Sequence, residues 1–584
     1  MGTAHLLWEG YTFGYGNHTS QIPLLKSYFH PNLYPEDIVV ATRNSYVSFY
    51  YAFLAAIDYG VGQLTLIFFI AHVLAKTLFF HSSYHFCLSI FNNRNVARIV
   101  LLLLFEGEMT LGGDSIHWSY HTHTFAVLPV LLYAFSCFLS DRTRLAYALL
   151  GLASCIHLQA AVFVFPMFAA ASLISIRGNT DRSPYLRRIL MDIGIFFLCA
   201  SPSIAWVAAV SEGPMDLEWL SILRVRSSHH SFPFTWDKYA YVTYALFLAQ
   251  GLVMWSLACQ NPDRKSIHKL IGWFSIVIAC LCAIGTIFTE WIPVEFVLRA
   301  QFFRSTKFLT IFVVLYAAFA VHYLFQKGPA HKSLAILTFL VFSCEPLFAF
   351  LPLLACLYLA LEFKNIPVWA KLPAAAAVLL RVLADFYTHF PIAGMQLILE
   401  RRHSSFSNAL APALLISLLV WCFCRKSAFV WLRRAGYGFA LFITVLYVLP
   451  RYYDLSKIDL KENEWVQLQL WANTNTPENA IFLTPPQLSG FRVFSERTAV
   501  VEWKDGTQLF FKPSFAGEWY SRLQEIGGLN DHTREAYYRA LSPTKIQELR
   551  RKYNFSFVVF PAELSLPFRQ VYRDTAWSIY DVTN

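Results

Sequence analysis

The sequence predicts a polytopic α-helical membrane protein that ends in a small α/β domain outside the membrane. Of its 584 residues, 56% are hydrophobic and only 14% are charged, and the mean hydropathy is +0.44. A single soluble core cannot accommodate so much apolar sequence. Short basic loops separate the apolar stretches, and the composition turns polar after Pro450.

Apolar stretches that could cross a bilayer recur along the chain. They cover about 61–80, 98–112, 124–139, 189–210, 239–258, 268–288, 307–325, 368–385, 406–424 and 430–450. Two further stretches, 146–175 and 334–361, are too long for one crossing and too short for two. We expect each to be broken into two half-helices, between His157 and Gln159 in the first and at Glu345-Pro346 in the second. The total is about 11 to 13 membrane helices.

The basic loops predict the orientation, because lysine and arginine concentrate on the cytoplasmic side. These loops are 92–98, 141–144, 177–188, 261–269, 326–332 and 424–434. Segments 1–60, 106–123, 211–238, 289–306 and 386–405, and everything after 450, then lie outside. Most of the basic residues behind the net charge of +10 lie in these short loops and reflect the orientation of the chain among membrane lipids. A nucleic-acid partner is therefore not expected. Most of the eleven cysteines lie in apolar stretches, so we expect no disulfide framework.

Three regions follow from this pattern: a first extracytoplasmic loop with an interfacial helix at 1–60, a transmembrane domain at 61–450 and an extracytoplasmic α/β domain at 451–584. Residues 1–45 contain no spanning run. We expect either a missing or shortened first helix before Trp8 or an interfacial segment. The α/β domain is predicted from a helix at about 460–473, an amphipathic helix in SPTKIQELRRKYNF and strands in AIFLTPP, TAVVEW, FSFVVFP and WSIYDV. It lacks a glycine-rich phosphate loop, which disfavours a cytoplasmic nucleotide donor.

The segment LRAQFFRSTK places Arg299, Arg304 and Lys307 on the side where the orientation rule disfavours positive charge. Arginine presents a planar pair of donors to phosphate oxygens, so we predict that these residues bind a phosphate. In a continuous helix Arg304 and Lys307 share a face and Arg299 points away, so all three converge only if the helix starts after Arg299. The alternative is contact with ordinary anionic lipid. Further candidates for substrate binding on this side are Arg224, His229 and His230, with Arg226 nearby.

The second external loop, FEGEMTLGGDSIHWSYHTHTF, is rich in histidine and carboxylate side chains. Such side chains suit a divalent metal, but the spacing matches no known site. Direct hydrogen bonding to substrate and a structural polar lining are the alternatives. The candidate metal ligands are Asp114, His117, His121 and His123.

Several phrases make the chain resemble the GT-C superfamily of integral membrane glycosyltransferases. WANTNTPENAIFLTPP, FRVFSERTAVVEW and RRKYNFSFVVF are similar to soluble domains of oligosaccharyltransferase-like members. GYTFGYGNHTSQIPLL, NLYPEDI and RVRSSHHSFPFTW are similar to uncharacterised bacterial multi-span proteins placed near that superfamily. The oligosaccharyltransferase WWD-type signature is absent, so the resemblance does not extend to protein glycosylation.

The resemblance implies transfer of a sugar or glycan from a polyprenyl-phosphate or polyprenyl-diphosphate carrier to a glycan or lipid acceptor. The reaction would take place on the outer face of the bacterial cytoplasmic membrane, in cell-surface polysaccharide or glycoconjugate synthesis. It needs a general base, cations for the leaving phosphate and an apolar groove. Family position favours an acid of the first loop as base: Asp37 first, then Glu36 and Glu9. The alternative for Asp37 is that it caps the following helix.

Two other classes of function also fit the sequence. A lipid or glycan transporter or flippase would explain broken helices with internal polar residues. The predicted break would place His157 at the floor of a substrate cavity, as a further substrate-binding candidate, and a packed, satisfied histidine is the alternative. A transporter usually shows repeated halves, and no convincing internal repeat is present. A noncatalytic membrane assembly subunit is the remaining alternative.

Overall fold

The computed structural model describes residues 1–105, 109–176, 182–212, 216–343, 345–389, 463–527 and 531–583. Within them, eighteen α-helices precede the C-terminal domain. They are α1 Gly2–Glu9, α2 His18–Lys26, α3 Phe49–Val61, α4 Leu64–Phe91, α5 Arg94–Leu103, α6 His123–Leu139, α7 Thr143–Ile156, α8 Leu158–Ser175, α9 Ser183–Val210, α10 Leu217–Arg226, α11 Ser228–Ser231, α12 Lys238–Ala258, α13 Lys265–Thr286, α14 Glu295–Ala300, α15 Thr306–Phe325, α16 Pro329–Ser343, α17 Leu351–Leu361 and α18 Val368–His389.

Six of the described helical segments are long and apolar enough to cross a membrane. They are Leu64–Phe91, Leu158–Ser175, Ser183–Val210, Lys238–Ala258, Pro262–Trp291 and Glu295–Phe325. Shorter apolar helices accompany them, among them α6 and α7. The predicted crossing at 98–112 corresponds to α5, which has only ten residues. The predicted crossings at 406–424 and 430–450 lie outside the described residues, so the total of 11 to 13 stays a prediction.

Both predicted helix breaks are confirmed, but α8, with 18 residues, is long enough to cross a membrane and is not the half-helix expected there. α7 ends and α8 begins at His157, whose extended backbone (φ −151°, ψ 100°) interrupts the helix. The second break separates α16 from α17 by a 3-10 segment, Glu345–Phe350, in which Pro346 lacks the amide hydrogen that a continuous helix needs. A third break was not predicted. Gln301 adopts a left-handed conformation (φ 52°, ψ 57°) and separates α14 from the 3-10 turn Phe302–Ser305 that leads into α15.

The C-terminal region is an α/β domain, as predicted. Its helices are α19 Glu464–Asn475, α20 Phe491–Ser495, α21 Phe515–Ile526, α22 Asp531–Arg539 and α23 Pro543–Tyr553, and its strands are β1 Ile481–Leu483, β2 Thr498–Ala499, β3 Phe557–Pro561, β4 Arg569–Arg573 and β5 Trp577–Asp581. The strand order is β2-β1-β3-β5-β4. β1 is parallel to β2 and β3, and β5 is antiparallel to β3 and β4. Strand β4, with sequence RQVYR, was not predicted because it is an edge strand with mostly polar, exposed residues.

Two of the hydrophobic cores meet along α4, whose first turns belong to one core and whose later turns belong to the other. The larger core lies among the membrane helices and includes Phe135, Phe168 and Phe312. The second core joins the first loop and α10 to the C-terminal domain, with Trp219 and Trp519 fully buried in it. Because burial of apolar surface drives association, this shared core holds the C-terminal domain against the membrane part.

Candidate functional site: a cation cluster under the C-terminal domain

Four basic side chains from distant parts of the chain surround one buried region. Arg226 ends α10, Arg304 and Lys307 flank the start of α15, and Lys504 comes from the 3-10 segment Trp503–Phe510 of the C-terminal domain. Burial, together with the charges of Arg226 and Arg304, lowers the pKa of Lys504 to about 8. We call Arg226, Arg304, Lys307 and Lys504 the cation cluster.

Arg304 has unused hydrogen-bonding capacity at the centre of this cluster. One terminal nitrogen donates to Nε2 of His230 at 3.1 Å. Its Nε is buried without a hydrogen-bond partner among the described residues. A buried guanidinium with an unsatisfied donor is unfavourable unless a ligand supplies the acceptor, so Arg304 is the best placed of these cations to bind an anion.

Lys307 pairs with the carboxylate nearest to the cluster. Its Nζ lies 2.7 Å from Oδ2 of Asp114, and the two side chains are only 5% and 2% exposed. The other carboxylate oxygen of Asp114 accepts the backbone N–H of Ser115 at 3.0 Å. Asp114 neutralises one of the four basic side chains, and the positive charge of the others favours an anionic ligand.

Two neighbouring histidines are neutral donors or acceptors rather than further cations. Burial and the charge of Arg304 hold the pKa of His230 well below its usual value. Burial, with smaller contributions from Arg226, Arg304 and Lys504, lowers the pKa of His229 to about 4. Nδ1 of His230 donates to the carbonyl of Gly112 at 2.8 Å, so its Nε2 is free to accept from Arg304.

Glycines let the second external loop approach these side chains. Gly112 and Gly113 have φ values of 80° and 64°, a conformation that side chains with a Cβ rarely adopt. A Cβ on Gly113 would lie 2.9 Å from Nδ1 of His230, and one on Gly112 would lie 2.9 Å from Cβ of Phe303. Thr306 ties the same loop to α15, because its hydroxyl donates to the carbonyl of Leu111 at 3.1 Å.

The C-terminal domain closes the region from the other side. Nε of Arg226 donates to the carbonyl of Trp503 at 3.1 Å, and its guanidinium lies 5.3 Å from the centroid of the Trp503 ring. A Cβ on Gly506 would lie 2.5 Å from a ring carbon of Trp519 and 2.8 Å from Cδ of Arg226. The domain therefore contacts α10 too closely for any larger residue at 506.

Asp37, the first candidate for the base, lies in a buried ion-pair network. Its Oδ2 accepts from Nε of Arg492 at 2.6 Å, and both side chains are fully buried. Its Oδ1 accepts the backbone N–H groups of Val39 and Val40 at 2.9 and 3.3 Å. These are the helix-capping contacts of the alternative hypothesis. The catalytic role of Asp37 stays a prediction.

Two acids of the C-terminal domain complete the Arg492 network. Asp505 Oδ1 lies 3.0 Å from one terminal nitrogen of Arg492, and Glu502 Oε2 lies 3.6 Å from the same nitrogen. Burial raises the pKa of Glu502 to about 7, against the opposing effect of Arg492. Arg492 was not among the predicted site residues, because nothing in FRVFSERTAVVEW indicates that this arginine pairs with an acid of the first loop.

The other two candidate bases lie in different surroundings. Glu36 is exposed and lines a cleft of about 500 Å³ between the first loop and the C-terminal domain, together with Arg43, Lys512 and Arg522. Glu9 pairs with the buried Lys76 and lies 3.3 Å from Nδ1 of His5. Neither Glu36 nor Glu9 therefore pairs with a residue of the cation cluster in these contacts.

The remaining phosphate candidates divide into two groups. Arg299 lies outside the cluster, although the helix is interrupted at Gln301 and α15 starts only at Thr306. Its guanidinium donates to the carbonyl of Phe510 at 2.8 Å and pairs with Glu295 at 3.0 Å. Arg224 is 45% exposed and pairs with Glu290 at 3.3 Å. His157 stays near the cluster, within electrostatic range of Arg304 and Lys307, with its ring 4.3 Å from that of His123.

The candidate metal ligands lie apart from one another. His117 Nε2 lies 2.6 Å from the carbonyl of Leu104, and His121 Nε2 lies 2.6 Å from the hydroxyl of Tyr50. His123 Nδ1 lies 3.2 Å from the hydroxyl of Tyr51, and Asp114 pairs with Lys307. Among the described residues, no three His, Cys, Asp or Glu side chains form a group that could hold a metal. The divalent metal stays a prediction.

Comparisons with known proteins concern the domain and the fold. A family model described as a domain of unknown function (DUF6798) matches residues 463–526. No curated protein matches the chain. A search of solved structures returns ArnT from Cupriavidus metallidurans, bound to undecaprenyl phosphate, with 12% identity, a TM-score of 0.45 and coverage of 99% of this chain and 96% of that one. At this identity the likeness concerns overall architecture only.

Proposed function

We propose that the protein transfers a sugar or glycan from a polyprenyl-phosphate or polyprenyl-diphosphate carrier to an acceptor on the outer face of the cytoplasmic membrane. The cation cluster is the observation that supports this function. It lies where apolar helices meet a polar domain, so the isoprenoid chain of a carrier could remain among the helices while its phosphate reaches the cations. Arg304, with a buried Nε that has no partner among the described residues, would bind the phosphate directly.

We assign the general-base role to Asp114, because among the described residues its carboxylate pairs with Lys307 of the cluster. In the free protein Lys307 neutralises it. When the carrier phosphate enters, Lys307 can exchange Asp114 for the phosphate, and this raises the proton affinity of the carboxylate. Asp114 then takes the proton of the acceptor hydroxyl while the hydroxyl oxygen bonds to the anomeric carbon.

The bond between the anomeric carbon and the carrier phosphate breaks in the same step, and its electron pair goes to the phosphate oxygen. Arg304 and Lys504 stabilise the negative charge that develops there. His230 holds Arg304 in place and stays neutral, so it does not compete for the phosphate. The sequence-based candidate Asp37 has another role in this scheme, because its two oxygens are held by Arg492 and by backbone N–H groups.

Native mass spectrometry of gently solubilised protein tests the carrier site. We expect a polyprenyl-phosphate adduct on the unmodified protein and its loss in Arg304→Gln. Arg224→Gln is the matched control, because Arg224 pairs with Glu290 outside the cluster, and it should retain the adduct. Absence of the adduct from unmodified protein that keeps ordinary phospholipid would overturn the proposal and favour a transporter or an assembly subunit.

The base assignment has its own test. Asp114→Asn should abolish release of the carrier phosphate and keep the adduct, since the cations remain. Retention of full activity by folded Asp114→Asn protein would return the role to an acid of the first loop, Asp37, Glu36 or Glu9.

A further inference from the structure

A second polar pocket lies at the other end of α15, far from the cation cluster. It has a volume of about 210 Å³ and is lined by the ends of α4 and α15 and by the start of α13. Lys307 and His322 are fifteen residues apart on α15, which corresponds to about 22 Å at 1.5 Å per residue. The first turns of α4 pack with the C-terminal domain, whereas its last residue, Phe91, lines the pocket. We call this the distal pocket.

The chain surrounding the distal pocket is basic. Three of the loops used to predict orientation, 92–98, 261–269 and 326–332, meet there, and they carry seven basic residues and one acidic residue. Glu362 is the nearby buried acid, and it pairs with Lys327 and His331. Positive charge in excess of this kind attracts an anionic ligand.

Arg264 provides a guanidinium for that ligand. It ends the short 3-10 segment Pro262–Arg264, is partly exposed and lines the pocket. In the part of the chain that the structure describes, no carboxylate lies within ion-pairing distance of this guanidinium and it donates no hydrogen bond. An arginine that lines a concave surface without a partner is suited to a phosphate, which accepts from two of its nitrogens at once.

Neutral polar groups and stacked rings form the rest of the pocket. Nε2 of His322 lies 3.1 Å from the amide nitrogen of Asn93 and 3.0 Å from that of Gln326, so the three side chains hold each other in place. The rings of Phe91 and Phe319 stack at 5.3 Å, and those of Phe319 and Tyr323 stack at 5.9 Å. These groups offer hydrogen bonds to phosphate oxygens and an apolar surface to the group that carries the phosphate.

We propose that the distal pocket binds a phosphate group, with Arg264 as its main ligand, at the membrane face opposite the C-terminal domain. The site is independent of the transferase function proposed above. The phosphate has two potential sources with the same chemistry: the headgroup of an anionic lipid at the membrane surface, or free inorganic phosphate.

Two measurements distinguish these sources. The first is isothermal titration calorimetry, in which inorganic phosphate is added to the protein in phosphatidylcholine nanodiscs. The second is native mass spectrometry of the protein from nanodiscs that contain phosphatidic acid, with the number of retained anionic lipids as the readout. Each is made on unmodified protein and on Arg264→Gln, Arg264→Lys and Arg98→Gln. Arg98 lies on the same basic face and bonds to Asn95 outside the pocket, so Arg98→Gln is the matched control.

Removing one charged hydrogen-bonding partner should weaken binding about tenfold or more. We therefore expect Arg264→Gln to bind inorganic phosphate more weakly, or to retain one phosphatidic acid molecule fewer than the unmodified protein. Arg98→Gln should behave like the unmodified protein in both measurements. Arg264→Lys should lose less, which guards against a folding defect as the cause. An effect on inorganic phosphate identifies a soluble ligand, and an effect on phosphatidic acid alone identifies a lipid headgroup. Equal behaviour of Arg264→Gln and Arg98→Gln in both measurements overturns the proposal. The polyprenyl-phosphate adduct that depends on Arg304 should persist in Arg264→Gln, so the two proposals fail separately.

Discussion

Asp37 Oδ2 lies 2.6 Å from Nε of Arg492, so a carboxylate in the first loop is bound by an arginine of the C-terminal domain 455 residues later. Both side chains are fully buried. Loss of a buried ion pair costs more than loss of a surface pair, because water does not screen the charge that remains. The contact therefore fixes the C-terminal domain over the cation cluster.

Asp37→Asn should destabilise the protein by about 1.5–3 kcal/mol, the usual range for a hydrogen bond to a charged group. The loss stays in this range because Asp505 continues to pair with Arg492. We expect a lower midpoint of thermal unfolding and faster proteolysis at the junction between the first loop and the C-terminal domain. Glu36→Gln is the matched control, since Glu36 is exposed. An unchanged midpoint combined with complete loss of activity would instead support the catalytic role that the sequence predicts for Asp37.

Binding of the carrier phosphate should weaken as the pH rises through about 8, because Lys504 then loses its proton. Burial lowers the pKa of Lys504 from its ordinary value to about 8, so the side chain is cationic below that pH and neutral above it. A phosphodiester or diphosphate keeps its negative charge over this range. The measurement is the carrier dissociation constant between pH 6.5 and 9.5.

Lys504→Arg is the control for this pH dependence. Arginine stays protonated throughout the range, so the variant should bind the carrier with an affinity that does not change near pH 8. Lys504→Gln should bind weakly at every pH. If both variants show the same change near pH 8 as the unmodified protein, another group causes it.

Much of the architecture could be predicted because apolar length and basic loops are local signals. The breaks at His157 and at Glu345-Pro346 carry such signals, since a polar residue or a proline interrupts an apolar run. The left-handed turn at Gln301 has no comparable signal in LRAQFFRSTK. A continuous helix already predicts that Arg299 points away from Arg304 and Lys307, but its hydrogen bond to the carbonyl of Phe510 depends on contact with the C-terminal domain.

The site was predicted only in part for a related reason. Arg304, Lys307 and His230 could be identified because they are charged or polar residues in loops on the predicted outer face. Lys504 lies 197 residues after Lys307 and joins them only through the packing of the C-terminal domain. Its sequence, WKDGTQLF, is typical of an ordinary surface turn. Contacts between such distant residues depend on tertiary packing, which local patterns do not encode.

Gly113→Ala should weaken carrier binding by more than the strain in its backbone alone would cause. Its φ of 64° disfavours alanine, and the new Cβ would lie 2.9 Å from Nδ1 of His230. Gly62→Ala is a matched control, because Gly62 has nearly the same φ, 65°, and nothing within 4 Å of a new Cβ. Strain should cost both variants about 1 kcal/mol. Only Gly113→Ala should also displace His230 and Arg304 and weaken carrier binding. Equal carrier affinity in the two variants would show that the loop can yield without moving His230.

Gly506→Ala should separate the C-terminal domain from α10. Its Cβ would lie 2.5 Å from the ring of Trp519 and 2.8 Å from Cδ and Nε of Arg226. Trp519 is fully buried and cannot move without repacking, and overpacking of this kind typically costs about 1–3 kcal/mol.

Gly194→Ala provides the control, since Gly194 lies in helix α9 with open space around a new Cβ. We expect Gly506→Ala to lower the midpoint of thermal unfolding and to weaken carrier binding, because Arg226 and Lys504 shift together. Gly194→Ala should match the unmodified protein or slightly exceed its stability, as alanine favours a helix more than glycine does. A Gly506→Ala variant with unchanged stability and carrier affinity would show that the contact between Trp503–Phe510 and Arg226 is not needed to form the cation cluster.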